Sequence, residues 1–516
     1  MKQERTGTAM QSDRWSYLWL VVGFILVLFT YGMYRNALAG LLAFVFLIRF
    51  LRGRKVGVGY LAVFLALGIA NTISWWNTSF ELPAVGRIIF GFVVGFLYSP
   101  PFLLDRVLVR RFHGFVATLV FPFAAAALEF VFIWPNPMTS YGSLANSQFG
   151  NAYLTQLVSI TGLWGITFVI SWFASTVNWV WEEGVAWPRI RRGLAIYAVV
   201  MLVVLAYGVV RLTFSLPAAG TVRIHGMAET DYTAQKWVTD ILPLNATDPA
   251  AFRAVTAPVF ERYRQATIRE AQAGAQIVVW PELAAEGYRE DVDALVAQVR
   301  DIARQQAVYV VMGLGVVSPD PGKGYRDENK LVVVDPRGEV VVDQLKYGCL
   351  ATNMYSFDIQ TVDTPHGRLA GVICCDLDYP YVVRQVSQKG VDILFAPSFE
   401  PTTENLVAHA QMVPSRAIEN GVSIFRPTIQ GMSLALDPYG RVLGAVNHRT
   451  AREAVLVAQV PNRRVFTVYS AVGDLFGWLS VVGFLGIAAW AILGRRRAAP
   501  TESQNGDGPL VPWAKG

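Results

Sequence analysis

Three short stretches of this sequence end in side chains that could share one reaction. Gly371-Val-Ile-Cys374-Cys375-Asp376-Leu-Asp-Tyr-Pro380 places two thiols and two carboxylates behind an apolar, β-leaning run from Leu369 to Ile373. A sulfur at the carboxyl end of a strand is fixed yet accessible, as covalent catalysis requires, although a free cysteine is often only a small buried hydrophobe. Ile277-Val-Val-Trp280-Pro281-Glu282 is a second apolar strand, and it runs into a carboxylate. Lys346 follows the turn Asp335-Pro-Arg-Gly338 in Asp343-Gln-Leu-Lys346-Tyr347. Together the three side chains suit acyl transfer. Glu282 takes the thiol proton, Cys374 attacks a carbonyl, and Lys346 stabilises the oxyanion. A free thiol has a pKa of about 8.5, so a base or cation must populate the thiolate at neutral pH. An oxyanion donor typically lowers the barrier by about 3–4 kcal/mol. Asp376 fits either a supporting carboxylate behind this set or a helix cap.

The elements that must hold these residues lie in residues 216–468, where strand-like runs alternate with amphipathic helical patterns. That alternation predicts an α/β layered domain. Strands are expected at Val222–His225, Ile277–Trp280, Val308–Met312, Leu331–Asp335, Leu369–Ile373, Ile393–Ala396 and Ser423–Arg426, with helices at Ala251–Ala273 and Asp291–Gln305. Asp335-Pro-Arg-Gly338 and Asp437-Pro-Tyr-Gly440 read as tight turns between antiparallel strands, which suggests similar hairpins in two halves of the domain.

The chain as a whole is too apolar for an ordinary soluble protein of its length. Of 516 residues, 53% are hydrophobic and only 16% charged, so part of the chain must sit in lipid. After a polar start (1–15), residues 16–215 hold seven expected membrane helices, at 17–34, 36–51, 57–77, 86–104, 114–134, 157–181 and 193–212; an eighth falls within 469–494. Each is near the ~20 residues that a bilayer demands. Basic clusters at Arg49/Arg52/Arg54/Lys55, Arg106/Arg110/Arg111, Arg189/Arg191/Arg192 and Arg495/Arg496/Arg497 all fall on the amino-terminal side, which the positive-inside rule makes cytoplasmic. A multi-pass plasma (inner) membrane protein is expected, with residues 216–468 on the extracytoplasmic, periplasmic side and a disordered cytoplasmic tail at 495–516.

The net charge of +6 shows no basic, aromatic-interleaved groove, so nucleic acid is not an expected partner. Cys349, Cys374 and Cys375 do not make a disulfide framework, and Cys349 and Cys375 are read as packing residues. The five histidines show no ligand spacing, and neither metal nor cofactor is expected. Trp75, Trp76, Trp134 and Trp179 read as interfacial belt residues. Glu129 is a carboxylate inside a membrane run, where an unpaired charge costs about 3 kcal/mol, and its role is left open.

Trp280-Pro281-Glu282, Lys346 and Ile373-Cys374-Cys375-Asp376-Leu377-Asp378-Tyr379-Pro380 resemble, in order, the three motifs of the carbon–nitrogen hydrolase (nitrilase) superfamily. Arg416-Ala-Ile-Glu419-Asn420-Gly421, with Arg426 beyond it, resembles that superfamily's late segment. The resemblance implies an α-β-β-α sandwich with a Glu282, Lys346, Cys374 triad, and its register selects Cys374 over Cys375. Strand alternation would also turn the two thiols to opposite faces.

With helices before and after this domain, and with Leu128-Glu129 and Leu157-Val-Ser-Ile-Thr-Gly162-Leu-Trp-Gly165-Ile-Thr-Phe168, residues 16–493 resemble the bacterial apolipoprotein N-acyltransferases. That resemblance implies a membrane N-acyltransferase of lipoprotein biosynthesis. Its Cys374 would take an acyl chain from a phospholipid as a thioester and pass it to the amino group of a lipoprotein diacylglyceryl-cysteine, without cofactor and as a monomer. The sequence departs from that family in the loop Lys346-Tyr-Gly-Cys-Leu-Ala-Thr-Asn-Met354, which lacks the family's glutamate eight residues beyond the lysine, and at Ser398-Phe399-Glu400-Pro401-Thr402. Glu286 and Glu400 are the stand-ins considered for the missing glutamate. Two other readings stay open: a membrane-tethered amidase or nitrilase, and a non-catalytic binding protein.

Overall fold

A computed structural model describes residues 15–32, 34–76, 82–133, 139–215, 220–227, 236–318, 326–348, 357–400, 408–448, 451 and 455–493. The expectations placed on residues 1–14, Trp134, Cys349, the loop from 349 to Met354 and the carboxyl-terminal tail lie outside the described residues.

The apolar runs form helices Ser16–Leu28, Ala37–Arg52, Val56–Ser74, Ala84–Tyr98, Pro100–Leu108, Val120–Phe132, Leu163–Glu182, Trp187–Thr213 and Leu475–Leu493. Among the described residues, six helical segments are long and apolar enough to cross a membrane. Two expected spans are interrupted for local reasons. Pro100, which has no N–H to donate, starts a new helix after Tyr98, and Gly162, at φ +63°, breaks Val158–Thr161 from Leu163–Glu182. Trp187–Thr213 buries only Ile190, Gly193 and Gly208, so its large apolar side chains face outward, as a lipid-facing helix requires.

Two of the expected belt tryptophans are instead core. Trp75 is 2% exposed and donates Nε1–H to Asn71 Oδ1 at 3.1 Å; Trp179 is 6% exposed and packs edge-to-face on Phe115. Neighbouring helices supply the apolar surface that a belt residue would take from lipid. Glu129 is not unpaired either. It accepts hydrogen bonds from Ser143 Oγ at 2.5 Å, Thr167 Oγ1 at 2.9 Å and the Leu144 amide at 3.3 Å.

Residues beyond 220 build two stacked sheets. In spatial order the first is Leu456–Pro461, Thr221–Gly226, Ile277–Val279, Tyr309–Val317, Arg326–Val334 and Val340–Leu345, with Ala285–Gly287 added alongside Tyr309–Val317. The second is Thr361–Thr364, Gly367–Gly371, Ile393–Phe395, Ser423–Arg426, Met432–Leu436 and Val442–Asn447. Both read antiparallel, parallel, parallel, antiparallel, antiparallel in these orders, so the sheets repeat one topology. The turns at 335–338 and 437–440 close the equivalent hairpins, as their sequences suggested.

Burial follows the layers. Val222, Ile224, Ile277, Val279, Leu369, Ile393, Phe395 and Phe425 fill the space between the sheets. The alternate residues Val278, Val310 and Met312 pack outward with Tyr263, Leu295 and Val299 of helices Pro249–Gln272 and Arg289–Gln306. On the other face Leu394 and Ile424 meet Val383 of Pro380–Gln388 and Ala417 of Val413–Asn420. The result is the expected α-β-β-α sandwich.

The sandwich sits directly on the membrane helices. Thr139 and Ser140, between Val120–Phe132 and Leu163–Glu182, both donate side-chain hydroxyls to the Asp378 carbonyl, Ser140 at 2.6 Å. Arg35 donates to the carbonyls of Tyr141 and Ala408, each at 3.1 Å, and Trp164 donates to Asp474 Oδ1 at 2.9 Å.

Candidate active site

Glu282, Lys346 and Cys374 come together at one end of the sandwich. Glu282 follows the strand Ile277–Val279, Lys346 follows Val340–Leu345 of the same sheet, and Cys374 follows Gly367–Gly371 of the other. The nucleophile therefore faces its two partners across the gap between sheets. Lys346 Nζ donates to Glu282 Oε1 at 2.5 Å, and Asn329 Nδ2 donates to the same oxygen at 2.8 Å. Glu282 is 2% exposed, and Gly313 makes room for its backbone: a Cβ at Gly313 would lie 2.3 Å from the Pro281 carbonyl oxygen.

Burial and neighbouring charge both act on Lys346 and Cys374. Burial pulls Lys346 down, but Glu282, with Cys374 and Asp376, outweighs it and holds the ammonium above its ordinary value. Burial and then Glu282 push the Cys374 thiol up, against Lys346 and His409, which favour the thiolate. A carbonyl carbon that reached the sulfur would develop its oxyanion in a desolvated pocket that holds a fixed ammonium.

The strand that carries the nucleophile ends earlier than its sequence suggests. Pairing stops at Gly371, and residues Cys374–Asp378 form a 3-10 turn, so strand alternation does not separate the two thiols. Cys374 has φ +50°, a conformation that a non-glycine residue adopts only where its surroundings impose it. Its N–H donates to the Pro397 carbonyl at 3.0 Å, and its Sγ contacts the Phe399 carbonyl at 3.8 Å. Cys374 is free, whereas Cys375 is disulfide-bonded, which corrects its reading as a packing residue.

Asp376 ties the nucleophile turn to the segment just beyond Lys346. Its carboxylate caps the turn by accepting the Ile373 N–H at 2.9 Å, and it takes the N–H groups of Tyr347 at 3.3 Å and Gly348 at 3.0 Å. Glu286 is committed elsewhere, in an ion pair between its buried carboxylate and the part-exposed Arg326.

A second charged group adjoins the sulfur, and sequence spacing gave no sign of it. His409, Glu400 and Cys374 bring a ring nitrogen, a carboxylate oxygen and the thiol sulfur within 4.8 Å of one another. These are the donor types that could hold a metal ion, although His409 and Glu400 already have ionic partners. His409 Nδ1 lies 2.9 Å from Glu400 Oε1 and Nε2 lies 3.2 Å from Asp378 Oδ1, while Arg426 ion-pairs Glu400. Burial opposes charge on the imidazole, but Glu400 and Asp378 raise it well above its ordinary value; Glu400 is held low by His409 and Arg426 despite its burial. From the sequence alone Glu400 is only a stand-in for a loop glutamate. The available signal was its place just beyond the strand Ile393–Phe395, the position that Glu282 holds in the first sheet.

Comparison with known proteins agrees with both halves of this architecture. Residues 251–467 match the carbon–nitrogen hydrolase family, and residues 22–176 match the apolipoprotein N-acyltransferase N-terminal domain. The chain belongs to the apolipoprotein N-acyltransferase family. It is accordingly an enzyme of the carbon–nitrogen hydrolase superfamily with a multi-pass membrane domain. It is similar to the apolipoprotein N-acyltransferase of Geobacter metallireducens, 25% identical across 74% of this chain and 76% of that protein. A relative of the same name from Pseudomonas paraeruginosa is 24% identical across 81% of this chain and 82% of its own. A deaminated glutathione amidase from Yersinia enterocolitica is 25% identical over 34% of this chain and 73% of its own. Among solved structures, an amidase from Nesterenkonia sp. is 22% identical, with a TM-score of 0.36, over 48% of this chain and 93% of that one.

Proposed function

We propose that this protein N-acylates lipoproteins through an acyl thioester on Cys374. Glu282 takes the Cys374 proton, and the sulfur attacks the ester carbonyl of a phospholipid. Lys346 meets the resulting oxyanion. The carbon–oxygen ester bond then breaks, and the lysophospholipid alkoxide leaves with the proton held by Glu282. In the second half, the amino group of a diacylglyceryl-cysteine attacks the thioester carbon. The carbon–sulfur bond breaks, an amide forms, and Glu282 passes the amine proton back to the sulfur. No electron transfer enters either half.

The observation that carries this reading is the seating of the nucleophile turn on the membrane domain, through Ser140 Oγ and the Asp378 carbonyl at 2.6 Å. Both substrates are lipids, and a thiol held there is within reach of molecules that arrive along the bilayer. The basic clusters on alternate helix ends support an extracytoplasmic sandwich, so that donor and acceptor would come from the outer leaflet. One copy of the chain supplies Glu282, Lys346 and Cys374, which supports a monomer as the working unit.

The test is incubation of the full-length protein in vesicles with acyl-labelled phospholipid. Label should become bound to the protein and be lost in Cys374→Ala. Label should then move to a diacylglyceryl-cysteine peptide. The similarity of the catalytic half to an amidase supports a second reading, in which water resolves the thioester. Acyl loading with release as free fatty acid, whether or not the peptide is present, would favour that reading. No loading at all would remove the first.

A further inference from the structure

We propose that His409 is a further catalytic residue: as an imidazolium within 4.8 Å of the Cys374 sulfur it favours the thiolate through its charge, and Glu400, Asp378 and Arg426 are positioning residues that keep it charged and in place. The inference rests on the reading of Cys374 as the nucleophile.

Geometry sets the protonation state. Each ring nitrogen faces a carboxylate oxygen, Nδ1 with Glu400 at 2.9 Å and Nε2 with Asp378 at 3.2 Å. A neutral imidazole carries one N–H and would present a lone pair to one of these anions, whereas the cation donates from both nitrogens. Arg426 Nη2 lies 3.2 Å from Nδ1 and opposes this charge, but Arg426 is itself paired with Glu400. Among the described residues the Tyr141 ring of the membrane domain also packs against it, edge-to-face at 5.6 Å, and Arg35 lies over that ring and donates to the Ala408 carbonyl at 3.1 Å. His409, Glu400 and Arg426 are 6%, 2% and 0% exposed, so water screens their interactions little.

The sulfur therefore lies between two ion-paired cations, Lys346 with Glu282 and His409 with Glu400. Lys346 and its partner Glu282 approach from the first sheet, while His409 approaches from the segment beyond Glu400 and shares its 4.8 Å cluster with Cys374. The two differ in what they can do. The Lys346 ammonium is occupied by Glu282 and is needed at the oxyanion. His409, fixed by two carboxylates, keeps its charge beside the sulfur and so favours the thiolate before the carbonyl arrives. That division addresses the departure in the loop after Lys346, because the sulfur gains a charged neighbour from another part of the chain.

The experiment reads the thiol itself. Full-length protein in vesicles is treated with iodoacetamide across a pH series, and alkylation of the Cys374 peptide is followed by mass spectrometry without reduction. In His409→Gln, alkylation at pH 7 should slow by about tenfold and its midpoint should move to higher pH. Asp378→Asn, which removes one of the two carboxylates that hold the charge, should shift the profile in the same direction by less. Melting curves establish which variants are folded, and if His409→Gln is not, Asp378→Asn decides. Alkylation profiles that match the wild type in the folded variants overturn the proposal. If the wild type traps no acyl group from phospholipid, the transfer reading fails separately, since alkylation needs no lipid substrate.

Discussion

The Asp376 carboxylate accepts the Gly348 N–H at 3.0 Å and so fastens the segment that carries Lys346 to the turn that carries Cys374. Burial, the larger influence, pushes this carboxyl up to about 6, while Lys346 and the N–H groups of Gly348, Ile373 and Tyr347 pull it down. Its folded value lies above the ordinary 3.8, so the stability it contributes is fullest below pH 4 and is lost as pH rises through 6. Catalysis has the opposite sign, because only the carboxylate accepts all three N–H groups. Acyl loading of Cys374 should therefore rise with pH through about 6 in the wild type. Asp376→Asn should lack that limb and load about a hundredfold more slowly at pH 7.5, through loss of alignment. A pH series of single-turnover loading separates the two proteins.

Glu282→Gln keeps the shape of the Lys346 partner but removes the proton acceptor. Loading should fall by about a thousandfold, with phospholipid binding retained. Asn329→Ala removes only the 2.8 Å hydrogen bond that orients Glu282, so its loss should be about tenfold. Rates equal to wild type in Glu282→Gln would remove Glu282 as the base.

The convergence of Glu282, Lys346 and Cys374 was legible because Glu282 and Cys374 follow apolar strand-like runs, Lys346 follows a hairpin turn, and the three stretches have the order of known motifs. The sandwich was legible because runs such as Ile277–Val279 and Ile393–Phe395 are short and apolar, and each is soon stopped by a proline, Pro281 and Pro397. Asp378, Glu400 and His409 are brought together by the fold from different elements, and no spacing rule marks them. Trp75 and Trp179 misled because composition shows that a tryptophan is near a membrane edge but not whether a neighbouring helix covers it. The cysteine pairing was missed because adjacency of Cys374 and Cys375 argues only against a bond between those two.

Gly313→Ala tests the backbone that holds Glu282. The added Cβ would lie 2.3 Å from the Pro281 carbonyl oxygen and 2.7 Å from Glu282 Cα, both backbone atoms with no rotamer to yield. Overpacking of this kind costs about 1–3 kcal/mol, and melting should occur at lower temperature. Protein that remains folded should load acyl groups more slowly, as Glu282 moves away from Lys346. A variant that melts and loads like the wild type would show that the first sheet can shift without moving the base.

Orientation in the membrane is the last expectation open to direct test. The basic clusters that follow Ala37–Arg52, end near Arg111 and begin with Arg189 all lie at helix ends on one side, while Thr139 and Ser140 touch the nucleophile turn at the other. With these arginines retained in the cytoplasm, as the positive-inside rule expects, the Asp378 contact would face outside. A reporter fused after Gly220 should be active only in the extracytoplasmic compartment, and one fused after Arg54 only in the cytoplasm. Cytoplasmic activity of the Gly220 fusion would put Cys374 on the side opposite the lipids proposed to reach it.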